Sequence, residues 1–214
     1  MSRIKSFNEY HGLMESSFPR VARTLKGEIE SISSVGILTA CNPMGKADDS
    51  GYTKFSDVEK SRYNVYMQSQ LKNILREKGY GFHEVEGNYG ANESSIIVPN
   101  ISKELVTHLG IKFNQEAVIW GERKPNENKY VFYYINCNTN EIQDVVEEVF
   151  VGNEAQTKEE YYTWVQGRKF YIPFFEEQAK PKAKENIKRF EKPSAYERNP
   201  KHRNTKFDME GVWY

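Results

Sequence analysis

Val35-Gly-Ile-Leu-Thr-Ala-Cys41 is a short apolar run that stops at Asn42-Pro43. A run of this length and apolarity is typical of a buried strand. Proline removes a backbone donor and keeps the residue before it out of the helical region, so Asn42-Pro43 ends the run. The stretch therefore predicts a buried strand whose carboxyl end is marked by Asn42 and Pro43.

A polar loop and a long helix follow this strand. The loop extends from Met44 to about Asp57, and the helix is expected from Val58 to Lys78. Its predicted inner face is lined at helical spacing by Val65, Gln68, Leu71 and Leu75. Gly79 suits the left-handed position just past a helix end.

Two strands, a second helix and two further strands complete the central part of the chain. The expected strands are 81–87, 93–98, 115–120 and 130–135. Ser102 is placed to cap a helix that continues to Ile111. The resulting order of strand, helix, strand, strand, helix, strand is that of split β-α-β proteins.

The predicted fold class is therefore α+β, a ferredoxin-like two-layer sandwich (β-α-β-β-α-β) with N-terminal helices and an extended basic C-terminal arm. We expect three parts: an N-terminal helical segment over 1–33, an α/β domain over 34–175, and the arm over 176–214. A sheet with helices on one face suits about 100 residues.

The flanking segments also carry periodic patterns. After Pro19, apolar residues at helical spacing predict an amphipathic helix: Val21, Leu25, Ile29 and Ile32. The spacing of apolar residues over 142–150 favours a helix, although its β-branched content leaves a strand open. Thr157 and Glu160 form a capping-box pattern for a short helix to Gln166, and 169–175 resembles a strand interrupted by Pro173.

The charge of the chain is zero in total but uneven along it. The 214 residues hold 30 Lys+Arg and 30 Asp+Glu, which argues against a globally basic nucleic-acid binder. Residues 180–206 nevertheless hold ten basic and three acidic residues, a net of +7, and the rest of the chain has −7. The arm has too little apolar surface to fold alone, so we expect it to dock on a partner, a neighbouring subunit or its own acidic body.

The docking residues of this arm are expected to be basic, with one aromatic residue near the end: Lys182, Lys184, Lys188, Arg189, Arg198, Lys201, Arg203 and Trp213. Basic residues interleaved with aromatics also suit a local contact with nucleic acid, and that alternative stays open.

Composition and motifs narrow the classes of function. No apolar run reaches the roughly 20 residues of a membrane helix, and residues 1–10 contain no signal-peptide stretch. Cys41 and Cys137 lack metal-ligand spacing and suit a reducing compartment, so we expect a cytoplasmic protein without a metal site. Because phosphate-loop, dinucleotide and hydrolase motifs are missing, no catalytic residue or cofactor is assigned.

The end of the first strand is the best candidate for a ligand site, because ligands often gather at strand ends in open sheets. The candidate ligand-binding residues are Asn42, Pro43, Arg62, Asn64, Glu93, Ser94 and Gln115. A second candidate is a group of carboxylates on neighbouring strands, Glu84, Glu86 and Glu93, with His83 nearby, for acid–base work or for holding a divalent ion. The structural alternative for that group is a solvated strand face.

The central part resembles the domain-of-unknown-function family 3293 of bacterial and phage proteins. The resemblance is carried by Ile37-Leu-Thr-Ala-Cys-Asn-Pro43, by Asn64, Leu71, Leu75 and Gly79, and by Gly87, Glu93-Ser94-Ser95 and Phe113-Asn-Gln115-Glu-Ala-Val118. It spans about residues 35 to 120. The family usually has an aromatic residue where Cys41 stands, and the resemblance implies kinship without implying a reaction.

The N-terminus is similar to the capsid-targeting sequences of T4-like phage internal proteins. The similarity is carried by Ile4-Lys-Ser-Phe-Asn-Glu-Tyr10 and by Leu13-Met14-Glu15, a triplet after which such sequences are cut. It implies a phage-borne protein packaged in the virion, with Ser16 as its mature N-terminus. The favoured function is thus a binding or interaction protein that docks through its arm. The alternative is a small-molecule or nucleotide sensor, or an enzyme, with a pocket at the end of the first strand.

Overall fold

The computed structural model describes residues 18–43, 51–88, 92–124, 127, 129–151 and 162–175. Its helices are α1 (Phe18–Leu25), α2 (Asp57–Glu77) and α3 (Lys103–Lys112), with a 3₁₀ turn at Tyr52–Lys54. Its strands are β1 (Ser34–Leu38), β2 (His83–Asn88), β3 (Asn92–Pro99), β4 (Ala117–Arg123), β5 (Tyr130–Asn136), β6 (Ile142–Val146), β7 (Phe150–Val151), β8 (Tyr162–Val165) and β9 (Arg168–Tyr171).

All nine described strands belong to one sheet, in the order β6-β5-β4-β1-β3-β2-β8-β9-β7. Every pair of neighbours is antiparallel. β1 lies in the interior of the sheet, where Ile37 stands opposite Ile97 of β3 on one side and Ile119 of β4 on the other. All five residues of β1 are buried, as the apolar run predicts.

The prediction of a ferredoxin-like two-layer sandwich is wrong. The central elements do occur in the predicted order, but β5 to β9 extend both sides of the sheet into one curled, half-barrel sheet of nine antiparallel strands. An antiparallel edge accepts any further hairpin whose side chains can be buried, and nothing in the central segment itself stops this growth.

Apolar residues cover both faces of the sheet. On the first face, Leu71 and Leu75 of α2 and Leu109 of α3 pack on the sheet. On the second face, Val21 and Leu25 of α1 meet strand residues from far apart in the sheet, with Val146 of β6 and Phe170 of β9 in the same cluster. The curl explains why strands near opposite edges share one core, and this second core replaces the open face of a two-layer sandwich.

The helix predicted over 142–150 is also wrong, because Ile142–Val146 is the strand β6 and Phe150–Val151 is β7. Val145 and Val146 lie in the cores on opposite faces of the sheet. This alternation is the strand pattern that the β-branched residues also allowed. The helix predicted to reach Gln166 is wrong over Tyr162–Val165, which is β8.

The N-terminal helix is shorter than predicted. Pro19 lies in the first turn of α1 as expected, but the helix ends at Leu25, and Gly27 has a φ of 74°. Beyond it, the carbonyls of Ile29 and Ile32 accept hydrogen bonds from the Arg123 side chain. Those carbonyls are therefore used to anchor the chain to β4, and Ile32 is buried without being helical.

Several sequence predictions lie outside the described residues. These are the N-terminal segment with Leu13-Met14-Glu15, and the whole arm with its eight docking residues. The three-part division of the chain stays a prediction. Within the described ranges, no helix combines the length and apolar character needed to cross a bilayer.

Candidate functional site

The chain leaves the sheet at the end of β1 in a tight, hydrogen-bonded arrangement. The Thr39 hydroxyl donates to the backbone carbonyl of Ser94 at 2.7 Å, and the Cys41 amide donates to the Thr39 oxygen at 2.9 Å. Asn42 then has a φ of 48°, a left-handed conformation that asparagine tolerates better than most residues. The strand itself ends at Leu38, and the predicted strand end at Asn42 is a sharp turn.

Two glutamine side chains hold this turn in place. Gln68 of α2 accepts a hydrogen bond from the Ala40 amide at 2.9 Å and donates to the Ser94 carbonyl at 3.0 Å. Gln115, in front of β4, donates to the carbonyls of Cys41 and Phe113, each at 3.0 Å. Both glutamines are buried, so they join β1 and its neighbours through bonds that water does not compete for.

Asn42, Asn64 and Tyr52 form a closed network beside the turn. Asn64 of α2 accepts from the Asn42 amide at 3.0 Å and donates through Nδ2 to Asn42 Oδ1 at 2.8 Å. The Tyr52 hydroxyl donates to the same Oδ1 atom at 2.7 Å. Because both lone pairs of Oδ1 are occupied, the orientation of the Asn42 amide is fixed, with its NH₂ group as the remaining donor.

The Glu93 carboxyl accepts a hydrogen bond from this NH₂ group. Burial raises the pKa of the Glu93 carboxyl to about 8, although the Asn42 hydrogen bond acts in the opposite direction. Among the described residues, Glu93 forms no salt bridge. Lys72 of α2 is paired with Glu84 at 2.6 Å instead. Glu93 is therefore a carboxyl that exchanges its proton close to neutral pH.

Cys41 and Tyr52 lie close enough to Glu93 to respond to its charge. Burial raises the pKa of the Cys41 thiol, and burial also raises the pKa of the Tyr52 hydroxyl, with the negative charge of Glu93 adding to both shifts. Both groups are consequently neutral at physiological pH. Cys41 is then a poor nucleophile, since the thiolate is the reactive form.

Three aromatic rings adjoin the network. The ring of Tyr52 lies with its centroid 5.5 Å from that of Tyr63 and 6.0 Å from that of Phe55, and the Phe55 and Tyr63 centroids are 5.8 Å apart. We call Tyr52, Phe55 and Tyr63 the aromatic cluster. Lys60 Nζ lies 5.8 Å from the centroid of the Tyr52 ring, which places a positive charge near its face.

The structure brings together five of the seven predicted ligand-binding residues: Asn42, Asn64, Glu93, Ser94 and Gln115. Pro43 follows Asn42 and is buried, whereas Arg62 is exposed on α2. Val65, predicted to line the buried face of the same helix, is 71% exposed, so that prediction is wrong.

The group of three carboxylates does not form. In the β2–β3 register, Glu93 stands opposite Gly87, whereas Glu86 stands opposite Ser94. Because side chains alternate along a strand, Glu93 is one residue out of step with Glu84 and Glu86. Glu84 and Glu86 are exposed, as the structural alternative has it.

The sequence patterns did not predict that Tyr52 and Thr39 belong to the site, or that Gln68 holds the turn through buried hydrogen bonds. Gln68 interrupts a stripe of leucines at helical spacing, and a polar residue in such a stripe indicates a buried hydrogen bond. Tyr52 lies in the long polar loop, where no periodicity marks it. Its place depends on the folded loop and could not be read from spacing.

Residues 38–118 match the model of a family described as "Protein of unknown function (DUF3293)", which confirms the resemblance over this segment. All the site residues described above, from Thr39 to Gln115, lie within the match. Searches of the curated proteins and of the solved structures gave no match.

Proposed function

We propose that this chain, whose residues 38–118 match the DUF3293 family, binds a small polar molecule at the end of β1 through Glu93. The observation that carries the proposal is the Glu93 carboxyl itself. It is held by Asn42, is half-buried and has no salt bridge among the described residues.

The surrounding bonds support a binding role over a purely structural one. Asn42, Asn64 and Tyr52 hydrogen-bond one another without using the Glu93 carboxyl. A carboxyl is not required to close such a network, and its burial costs free energy that a bound molecule can offset. Rigid positioning of one group by its neighbours is what a binding site requires.

Glu93 also has the proton affinity of an acid–base catalyst. A carboxyl with a pKa of about 8 donates or accepts a proton readily near neutral pH, as general acids and bases do. The described residues pair it with no activated nucleophile, because Cys41 is held in its neutral form. Binding is therefore the function that these groups support best, and proton transfer to the bound molecule is the extension they allow.

The test is a thermal-shift screen of the full chain against nucleotides, amines, sugars, amino acids and divalent ions, followed by calorimetry on any hit. We expect at least one class to raise the melting temperature, and Glu93→Gln to abolish the shift. Glu86→Gln is the matched control, since it removes an exposed carboxylate from the neighbouring strand β2. A screen without hits, or a hit that Glu93→Gln leaves unchanged, contradicts the proposal.

A second function is favoured by the charge distribution of the sequence, which places +7 in residues 180–206 and −7 in the remainder. We propose that the arm docks on an acidic surface, either of a neighbouring copy or of a protein partner. Opposite net charges attract at low ionic strength and direct association.

Deleting residues 180–214 tests the docking of the arm. Sedimentation of the full chain and of the deletion variant, at low and at high salt, compares their assembly states. We expect the deletion to remove a salt-sensitive self-association, or else the salt-sensitive capture of a partner. Unchanged assembly and unchanged capture would exclude docking through the arm.

Packaging in a virion stays a prediction from the N-terminal similarity. If the chain is packaged and cut after Leu13-Met14-Glu15, mass spectrometry of purified particles finds a peptide that begins at Ser16. An intact N-terminus in the particles would exclude the processing step.

A further inference from the structure

We propose that the molecule bound at the end of β1 is a small organic cation, a protonated amine or a guanidinium, which pairs with the Glu93 carboxylate beside the aromatic cluster. This inference rests on the proposed binding function and names the chemical class of its ligand.

The described residues provide no positive charge that pairs with Glu93. Lys72 of α2 lies close enough to Cys41 for its charge to act on the pKa of the thiol, but Lys72 Nζ forms a salt bridge with Glu84 Oε2 at 2.6 Å. Lys60 lies near the Tyr52 ring and forms no salt bridge with Glu93. A half-buried carboxylate without a counter-charge is costly, and an opposite charge within about 4–6 Å favours the ionised form. A ligand that supplies the charge therefore gains more than a neutral one.

The other polar groups beside Glu93 are uncharged at neutral pH. Asn42 and Asn64 contribute amides, and the Cys41 thiol and Tyr52 hydroxyl stay protonated because burial raises their pKa values. Once Glu93 is ionised, above its pKa of about 8, its carboxylate is the negative charge among these neutral groups. It repels an anion such as a phosphate group, and it attracts a cation without competition from these neutral neighbours.

The aromatic cluster adds ring faces that can attract a cation. Tyr52 is joined to Glu93 through Asn42, and its ring belongs to the cluster with Phe55 and Tyr63. Lys60 shows that a cation settles within 6 Å of the Tyr52 ring centroid, a distance at which ring and cation attract one another. Organic cations use both a carboxylate and aromatic faces, and Asn42 links the Glu93 carboxyl to the hydroxyl of the Tyr52 ring.

The described donor set suits an organic cation better than a metal ion. Ca²⁺ takes six to eight oxygen ligands and Mg²⁺ about six. The described residues contain no group of three His, Cys, Asp or Glu side chains that could hold a metal ion. A guanidinium or ammonium group needs only one carboxylate and a few neutral acceptors.

The test is calorimetric titration of the full chain with methylguanidinium, and with methylurea as its uncharged isostere. Methylguanidinium keeps its charge at every pH used, so the pH dependence reports on the protein. Glu93 is ionised above its pKa of about 8 and protonated below it, so protons compete with the cation as the pH falls. We expect binding at pH 9, affinity more than tenfold lower at pH 6.5, and no binding of methylurea. This pH series requires no variant.

Three variants sharpen the result. Glu93→Gln should weaken methylguanidinium binding at pH 9 by more than tenfold, whereas Glu86→Gln should change it less than twofold. Lys46→Gln tests whether the chain supplies its own cation, since Lys46 follows Pro43 closely in the sequence and lies outside the described residues. We expect this variant to bind methylguanidinium as the unaltered chain does.

The outcomes separate this inference from the proposed function. If methylurea, a nucleotide or a divalent ion binds in a Glu93-dependent manner and methylguanidinium does not, the inference of an organic cation fails. The proposed binding function of Glu93 is then supported. If methylguanidinium binds only after Lys46→Gln, the chain's own lysine occupies the position and the inference fails. If no class of molecule binds, both proposals fail together.

Discussion

Glu93 is the residue on which the account of the site depends, and its protonation links the site to stability. The pKa of its carboxyl is raised from 4.5 to about 8 by burial, so the folded protein holds a proton that the unfolded chain releases between these values. The stability that this proton contributes is complete below pH 4.5 and is lost as the pH rises through 8.

Glu93→Gln should therefore stabilise the free protein at alkaline pH. Between pH 5 and pH 8.5 we expect the unfolding free energy of the unaltered chain to fall by about 4 kcal/mol relative to that of Glu93→Gln. Urea unfolding at the two pH values measures it. A difference between the two proteins that does not change with pH would mean that Glu93 titrates normally in the folded protein.

His83 shows the opposite dependence on pH. It is buried on β2, its Nδ1 atom has no hydrogen-bond partner among the described residues, and burial, aided by the charge of Arg20, lowers its pKa to about 4. The unfolded chain thus binds a proton between about pH 6.5 and pH 4 that the folded protein does not. Stability falls as the pH drops through this interval.

Replacing His83 by Leu should remove this acid sensitivity. At pH 4.5 we expect His83→Leu to be more stable than the unaltered chain by about 2 kcal/mol, with a much smaller difference at pH 7.5. Thermal unfolding followed by circular dichroism at both pH values provides the comparison. Equal acid sensitivity of the two proteins would show that His83 charges freely in the fold.

At the scale of elements, the contact of α3 with β4 leaves no room for a side chain at Gly110. A Cβ atom on Gly110 of α3 would lie 2.5 Å from Val118 Cγ1 and 2.6 Å from Cys137 Sγ. Real Cβ atoms do not approach so closely, so the helix would have to move away from the sheet. Glycine is thus used in the last turn of the helix despite its poor helix propensity.

Gly110→Ala should consequently destabilise the protein. Alanine improves helix propensity by about 1 kcal/mol, but overpacking of a buried contact costs about 1–3 kcal/mol. We expect a net loss of unfolding free energy and a lower melting temperature. Ile111→Ala, at an exposed neighbouring position of α3, serves as control and should have a small effect. An increase in stability for Gly110→Ala would contradict the packing described here.

Sequence reasoning succeeded for elements whose periodicity is local and failed where the sheet determines the outcome. The helix around Leu71 and the helix after Ser102 have strong apolar stripes and clear end signals, and both occur within a residue or two of the prediction. Val145 and Val146 suit helix or strand equally in isolation. The free edge of β5 selects the strand, and no local pattern shows that edge.

The same reasoning accounts for the site. Asn42 and Glu93 could be predicted because each borders a strand whose end is marked in the sequence, and the β1–β3 pairing then brings them together. Tyr52 could not, because its contact with Asn42 spans a loop without periodic residues. Residues that close a site from loops are the ones that single-sequence patterns omit.

At the scale of the whole molecule, the segment that matches the family does not build the core of the second face by itself. The core on the second face of the sheet combines Val21 and Leu25, which precede the match, with Phe132, Phe170 and Phe174, which follow it. The chain after β9 also returns to β6, where the Phe175 amide donates to the Asp144 carboxylate. Segments distant in sequence thus close the curled sheet.

A protein made of residues 38–118 alone should therefore not fold cooperatively. It would leave Val85 and Ile97 without the partners that cover them on the second face. We expect a broad, non-cooperative urea transition, and a sharp one for residues 18–175, measured by circular dichroism in parallel. A sharp transition for the short segment would show that the flanking strands are dispensable for the fold.

The most direct test of the central claim is a ¹³C NMR titration of the Glu93 side-chain carboxyl, first in the free chain and then with saturating methylguanidinium. The account predicts a pKa near 8 in the free protein and a value at least one unit lower with the cation bound, since the bound charge favours ionised Glu93. A pKa near 4.5 in the free protein, or one near 8 that methylguanidinium leaves unchanged, would contradict it.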